Sequence, residues 1–189
     1  FLGGILPGMV KQSPYTMSFS DCQLLAYECE MVFRMKDDLP LAGAPFDRNG
    51  VSAYIDAVFP AFEILDFRNI DFKNIDGHSS IVDNALMHCI VIGPQSSGWE
   101  DLDIADLTGT LFVNGEEISS ALTGEAMGHP LEGLVWIANN LAERGQGLQK
   151  DMIVMTGSIV STKFLSEGDQ VGFVIDTLAV SYTHLTLPT

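Results

Sequence analysis

Two glutamates, Glu28 and Glu30, lie two residues apart inside an otherwise apolar run. Over residues 27–35 the side chains follow the period-two alternation that is typical of a β-strand. Both carboxylates therefore leave the same face of the strand, with their Cα atoms about 6.5–7 Å apart. Like charges at this spacing repel each other, and a hard cation such as Mg²⁺ or Mn²⁺ bound between them would remove the repulsion. The pattern also fits a solvated strand face that carries two acids.

A third carboxylate, that of Glu63, interrupts a second short apolar run at residues 60–68. Three carboxylates, completed by waters or substrate oxygens, would fill the octahedral shell that Mg²⁺ prefers. Taken alone, Glu63 is more typical of an acid on an edge strand. Together with Glu28 and Glu30, it becomes the third predicted metal ligand.

The composition limits the class of protein. With 189 residues, of which 47% are hydrophobic and 18% are charged, the chain is typical of one globular domain with a core. The net charge of −16 argues against nucleic acid and anionic membrane surfaces as partners, because no stripe of Lys and Arg could pair with phosphates. Three scattered cysteines without CxxC spacing indicate reduced thiols and a cytoplasmic location.

Both ends of the sequence are unusual for a complete domain. The chain starts at Phe1, without an initiating Met, as though within a domain. Residues 182–189 abandon the preceding strand pattern and look like translated adapter sequence, which predicts a non-native tail. We expect one catalytic domain over residues 1–181, with its N-terminal part missing.

The pattern predicts a β-dominated α+β domain with two helices. Helical spacing of apolar residues predicts the first helix over residues 51–58, ended by Pro60. The second helix is predicted to begin at Pro130 and to end before Gly145.

The remaining segments read as strands and loops. Besides the strand that carries Glu28, strands are expected at residues 61–67, 87–92, 107–113, 117–122, 153–156 and 171–180. Asn114-Gly115 predicts a tight hairpin between two of them. Residues 37–50 and 69–84 are predicted to be loops, the second with room for one helical turn.

The motifs around the three acids occur in a recognisable order. They are Tyr27-Glu28-Cys29-Glu30-Met31-Val32-Phe33, then Pro60-Ala61-Phe62-Glu63-Ile64-Leu65-Asp66-Phe67-Arg68, then Val82-Asp83-Asn84-Ala85. Gly128-His129-Pro130 and Val154-Met155-Thr156-Gly157-Ser158 follow in order. Over about residues 1–180 the chain resembles the fumarylacetoacetate hydrolase superfamily, especially its 2-keto-4-pentenoate hydratases and their sister 4-oxalocrotonate decarboxylases.

The resemblance implies a fold, a metal site and a reaction. The fold would be a fumarylacetoacetase-like roll of mixed β-sheets with short flanking helices, assembled as a homo-oligomer or with a sister decarboxylase. Glu28, Glu30 and Glu63 would hold Mg²⁺ or Mn²⁺, which would chelate a 2-oxo or 2-hydroxydienoic acid. The implied reaction is hydration of 2-hydroxypenta-2,4-dienoate to 4-hydroxy-2-oxopentanoate, in the catabolism of aromatic rings by meta-cleavage. The alternatives are decarboxylation of a 4-oxalocrotonate-type acid, and an inactive subunit that binds metal and oxo acid.

The sequence departs from the family pattern at positions that concern proton transfer. The catalytic Lys of the family lies upstream of the E-x-E pair and would precede Phe1. Gly8 stands where the family commonly carries Asp. We therefore assign no catalytic residue, and we expect hydration to be faster in a chain that includes the upstream Lys.

Several other residues are candidates for the substrate side of the site. The resemblance places Thr156-Gly157-Ser158 by the substrate, whereas the pattern alone fits a turn at the end of a strand. Asp83 and Asn84 could order a substrate loop or cap a turn. Arg68 could pair with a ligand carboxylate, with the substrate or with a surface acid. His88, in an apolar strand, is more typical of a core histidine.

Overall fold

The computed structural model describes residues 3–68, 70, 74, 76–96, 98–178 and 183–187. Within these residues the chain has eleven strands and three α-helices. The strands are β1 (Val10–Gln12), β2 (Tyr15–Thr16), β3 (Leu25–Met35), β4 (Ile55–Asp66), β5 (Met87–Ile92), β6 (Thr108–Val113), β7 (Glu116–Leu122), β8 (Ile153–Ser158), β9 (Lys163–Phe164), β10 (Gln170–Ile175) and β11 (Thr183–Thr186). The helices are α1 (Arg48–Ser52), α2 (Gly77–Val82) and α3 (Pro130–Glu143).

The strands form two mixed sheets. The larger sheet has the order β1-β5-β4-β3-β8, with β9 also paired to β3. The smaller sheet has the order β2-β11-β10-β6-β7. β1 runs parallel to β5 and β2 runs parallel to β11, whereas the other pairs are antiparallel. The predicted α+β fold, dominated by strands in mixed sheets, is confirmed.

The antiparallel pair of β3 and β4 is the centre of the larger sheet, and apolar residues occupy both of its faces. On one face Phe33 and Phe62 enter the main core, where Phe62 lies 6.1 Å from Phe173 of the smaller sheet, measured between ring centroids. On the other face Val32 and Ala61 belong to a smaller apolar cluster. Because side chains alternate along a strand, the predicted acids of β3 and β4 lie on this second face.

Helix α3 packs against strand β8, and its buried residues Leu131, Leu134 and Ala138 join the main core. The close approach requires Gly133, since a Cβ atom there would come within 2.7 Å of the Thr156 side chain. The helix begins at Pro130, as predicted, and the left-handed Gly145 follows its end with φ of 70°. No helix in the described part of the chain combines the length and the apolar composition that crossing a membrane requires.

The predicted hairpin at Asn114-Gly115 is confirmed. Both residues have positive φ, 52° and 85°, and they join β6 to the antiparallel β7. This backbone matches the two-residue turn that Asn-Gly favours between twisted strands.

The predicted helix over residues 51–58 is wrong. Helix α1 ends at Ser52 and strand β4 begins at Ile55. Pairing with β3 decides the outcome, because it sets Val58 opposite Phe33 and favours the extended form of a β-branched residue. Pro60 does not end an element either: it lies within β4, and its carbonyl accepts a hydrogen bond from the N–H of Gly93.

Other boundaries also differ from the prediction. The strand expected over 171–180 ends at Ile175, because Asp176 and Thr177 turn, with φ of 61° at Thr177; residues 179 and 180 lie outside the described residues. The loops expected at 37–50 and 69–84 contain the start of α1 and all of α2. Residues 183–186 form β11 between β10 and β2, and the non-native origin of 182–189 stays a prediction.

Candidate metal centre

The structure brings Glu28, Glu30 and Glu63 together on one face of the larger sheet. The register of the β3–β4 pair sets Glu28 directly opposite Glu63, and Glu30 follows two residues later on the same face of β3. One carboxylate oxygen from each residue lies within 4.8 Å of the others. Oxygens bound to one Mg²⁺ at about 2.1 Å stand about 3.0–4.2 Å apart, so small side-chain movements would suffice for all three to share an ion.

Burial makes this cluster costly without a cation. Only 2% of Glu30 is exposed, and burial raises its pKa to about 7, although the N–H of Gly157 favours the charged form. Burial also raises the pKa of Glu63, to about 9, and the charges of Glu30 and Glu28 add to the effect. With these raised pKa values the cluster would hold a proton at neutral pH in the absence of a cation, and a divalent cation would displace that proton.

Two hydrogen bonds orient the carboxylates. The N–H of Gly157 donates to Oε2 of Glu30 at 2.8 Å, and the hydroxyl of Thr162 donates to Oε1 of Glu28. Thr162 could not be predicted from the sequence, because it lies 134 residues from Glu28 and no local pattern links the two. Donors of this kind fix the direction of a metal-binding carboxylate.

The cluster lies in a cleft of about 810 Å³. Apolar side chains of α3 and β8 form much of its wall, among them Ile137, Leu141 and Met155. None of the described residues that line the cleft is Lys or Arg. The donors of the cluster are all carboxylate oxygens, which suit a hard divalent metal. The volume is that of a small-molecule site.

Of the three residues predicted at 156–158, Gly157 alone lines the cleft. The hydroxyl of Thr156 donates to the carbonyl of Met31, and the hydroxyl of Ser158 donates to the carbonyl of Val160. Gly157 has φ of 106°, a left-handed conformation that L residues resist. In this conformation the N–H of Gly157 donates to Glu30. Gly157 therefore contributes to the site through its backbone conformation, which only glycine adopts easily.

The other predicted substrate residues contact protein groups. Arg68 forms an ion pair with Asp83, 2.6 Å from Nη1 to Oδ2, and its Nη2 donates to the carbonyl of Met87. Asn84 forms two hydrogen bonds to the backbone of Gly4, at 2.6 and 2.9 Å. Because Gly4 lines the cleft, Asn84 holds the N-terminal segment at the cleft wall. The roles of all these residues in binding a ligand stay predictions.

Comparison with known proteins gives the same grouping as the motifs. A 4-oxalocrotonate decarboxylase from Pseudomonas putida is 31% identical over 152 residues, which cover 80% of this chain and 57% of that protein. A 2-hydroxyhexa-2,4-dienoate hydratase from Comamonas testosteroni is 32% identical over 160 residues, which cover 83% of this chain and 60% of that protein. The chain therefore spans less than two thirds of the length of these relatives.

A solved structure matches nearly the whole chain. It is a 4-oxalocrotonate decarboxylase from Pseudomonas putida G7 in complex with magnesium and adipate, with a TM-score of 0.88 and 25% identity. The match covers 98% of this chain and 68% of that one. The sequence profile of the fumarylacetoacetate hydrolase C-terminal family matches residues 9–185. The chain belongs to the fumarylacetoacetate hydrolase family.

Proposed function

We propose that this chain carries the metal- and substrate-binding part of a divalent-cation-dependent lyase that acts on small 2-hydroxydienoic or 2-oxo acids in the cytoplasm. The convergence of Glu28, Glu30 and Glu63 in a cleft of about 810 Å³ carries the proposal. The reaction we favour is hydration of 2-hydroxypenta-2,4-dienoate to 4-hydroxy-2-oxopentanoate, in aromatic catabolism. The cation is Mg²⁺ or Mn²⁺, because the three donors are carboxylate oxygens.

Different residues of the chain bind the cation and the carbon chain of the substrate. Glu28, Glu30 and Glu63 hold the cation, and the N–H of Gly157 keeps Glu30 turned toward it. When bound, the cation supplies a Lewis acid for the carboxylate and 2-oxo oxygens of the substrate. Apolar side chains of α3 and β8 contact the carbon chain and exclude bulk water from it.

Decarboxylation of a 4-oxalocrotonate-type acid is the second candidate reaction. It is favoured by the decarboxylase relative at 31% identity and by the solved decarboxylase with a TM-score of 0.88. Both reactions place negative charge on the same 2-oxo oxygen, so a carboxylate-held cation serves either. An inactive subunit that binds metal and oxo acid is the third candidate.

Turnover of two substrates separates these candidates. With Mn²⁺, we expect the chain to remove the diene absorbance of 2-hydroxypenta-2,4-dienoate without releasing CO₂. CO₂ release from 4-oxalocrotonate would favour the decarboxylase instead. Binding of adipate that requires Mn²⁺, without either turnover, would favour the inactive subunit. Glu63→Gln should abolish the Mn²⁺-dependent turnover or adipate binding, and Glu117→Gln, at an exposed position, should keep it. A wild-type chain that binds no Mn²⁺ would contradict the proposal.

We also propose that the chain forms a homo-oligomer or a complex with a sister decarboxylase. Large apolar side chains on the described surface support an interface, including Val82 at 89% exposed and Trp136 at 42%. Sedimentation at several concentrations, alone and with the decarboxylase, tests this. A monomer in all mixtures would contradict it.

A further inference from the structure

A second cluster of metal-ligating side chains lies away from the carboxylate centre. It consists of Cys22, Asp66 and His88, and one ligand atom from each lies within 4.8 Å of the others. Along β4, Glu63 lines the cleft and Ile64 enters the main core. By the same alternation Asp66 lies on the core side of the sheet, so the two clusters belong to opposite faces.

The backbone fixes the carboxylate of this cluster in place. Oδ1 of Asp66 accepts hydrogen bonds from the N–H groups of Gln23 and Leu24, both at 3.1 Å, and of Arg68 at 3.3 Å. Among the described residues, Oδ2 accepts none. Although burial opposes the charge, these donors hold the pKa of Asp66 below its usual range. Asp66 is therefore a charged, preoriented ligand with one oxygen available.

A β-bulge sets the position of His88. Ile64 pairs with Cys89 and Leu65 pairs with Met87, so His88 is the extra residue on β5. Such bulges change the direction in which a side chain points. The two ring nitrogens of His88 lie 3.9 and 4.0 Å from Sγ of Cys22.

These distances are close to those around a tetrahedral ion. With Zn–S bonds of about 2.3 Å and Zn–N bonds of about 2.0–2.1 Å, sulfur and nitrogen stand about 3.6 Å apart. The observed 3.9 Å is a few tenths of an ångström longer, and the Asp66 oxygen lies within 4.8 Å of both atoms, so the three side chains would have to move closer together around an ion. Cys22 and His88 are partly exposed, which gives an ion from solution access to the cluster.

We propose that Cys22, Asp66 and His88 form a second metal site, selective for a divalent transition-metal cation of the Zn²⁺ class. Thiolate sulfur and imidazole nitrogen are donors that Zn²⁺ and Co²⁺ accept and that Mg²⁺ disfavours. The thiolate and the carboxylate neutralise the two positive charges. Three protein ligands leave a fourth position for water. The ion ties the segment before β3 to the end of β4 and the start of β5.

Cobalt provides a probe that reports sulfur ligation directly. A thiolate bound to Co²⁺ gives a charge-transfer band in the near ultraviolet that carboxylates cannot produce. We would titrate Co²⁺ into the wild-type chain, Cys22→Ala and Cys89→Ala, where Cys89 is a neighbouring buried thiol. The same titration of Glu30→Gln distinguishes binding at this cluster from binding at the carboxylate centre. Circular dichroism of each metal-free variant checks that it is folded.

We expect the band in the wild type, Cys89→Ala and Glu30→Gln, and its loss in Cys22→Ala. Zn²⁺ should also slow alkylation of Cys22, about 100-fold when free Zn²⁺ is about 100 times its Kd. A wild-type chain without the band, or a band that survives Cys22→Ala, would overturn the proposal. The wild-type titration can reject the proposal by itself. The test therefore stays decisive even if a variant does not fold.

Discussion

Glu63 and Asp66 are two acids of strand β4 that lie three residues apart and have opposite electrostatic environments. Burial and two neighbouring carboxylates raise the pKa of Glu63 to about 9. Three backbone N–H donors outweigh burial at Asp66 and lower its pKa. Both residues occupy the same strand, so local donors and charges, rather than the secondary structure, determine the difference.

The contrast indicates what each acid requires. Glu63 shares its face with Glu30 and Glu28, and it needs a proton or a cation from solution to offset their charges. Asp66 is already stabilised by the protein itself and is charged without an ion. A buried acid whose charge the protein does not balance is the stronger indication of a binding centre.

The largest expected effect is the loss of metal binding in Glu30→Gln. Removing a ligand should weaken Mn²⁺ binding more than about 100-fold, since even outer-shell changes cost 10–100-fold. Mn²⁺ should raise the Tm of the wild type by linkage, and most of that rise should vanish in the variant. The metal-free variant should lose little stability, because the change also removes repulsion. Thermal melts at fixed ionic strength, with Glu117→Gln as the control, measure this, and an unchanged Mn²⁺ shift would contradict it.

The next effect concerns the pH dependence of the metal-free protein. Because the folded-state pKa of Glu63 is raised, its contribution to stability is complete below the unfolded pKa of about 4.3 and is lost as pH rises toward 9. Between pH 5 and pH 8 the free energy of unfolding should fall by on the order of 4 kcal/mol. Urea unfolding with a chelator present measures the slope.

Glu63→Gln is the variant that checks this assignment. It should reduce the slope to the part that Glu30 contributes, because the pKa of Glu30 is also raised, to about 7. The variant should be more stable than the wild type at pH 8, because it folds without taking up a proton at this position. Glu117→Gln should keep the slope, since Glu117 is exposed on β7 of the other sheet. Equal slopes in the wild type and in Glu63→Gln would assign the titration to other groups.

The carboxylate pair could be predicted because it depends on local sequence alone. Alternation along β3 places Glu28 and Glu30 on one face without any knowledge of the rest of the chain. The Asn114-Gly115 turn was predictable for the same reason, since its signal lies in two residues. The segment at 51–58 was not, because its spacing suits a helix and only pairing with β3 makes it a strand.

The surroundings of the site depend on contacts between distant segments. Thr162 reaches Glu28 across 134 residues. The hydroxyls of Thr156 and Ser158 turn to the backbone because Gly157 adopts a positive φ between them. The register that makes His88 an extra residue on β5 is likewise fixed only when β4 and β5 pair. Residue types therefore predict the candidate ligands, but not the groups that orient them.

A smaller effect of the opposite sign is expected at Asp66. Its lowered pKa means that its contribution is present above the unfolded pKa of about 3.9 and is lost as pH falls through the folded value. Asp66→Asn should therefore cost about 1–3 kcal/mol at pH 7 and less at pH 3. Urea unfolding with a chelator at both pH values measures it. A cost that is the same at both pH values would show that the stabilisation by these N–H hydrogen bonds does not depend on the charge of Asp66.

The smallest effect is expected from the hydroxyl that orients Glu28. Thr162→Val keeps the shape of the side chain and removes its hydrogen bond to Oε1 of Glu28. Because Glu28 is partly exposed and stays a ligand, Mn²⁺ binding should weaken by about tenfold, at the low end for an outer-shell partner. The neighbouring Ser161→Ala, at an exposed position, should leave the affinity unchanged. Calorimetric titration of Mn²⁺ into the three proteins measures the difference, and equal affinities would mean that Glu28 is held by its strand alone.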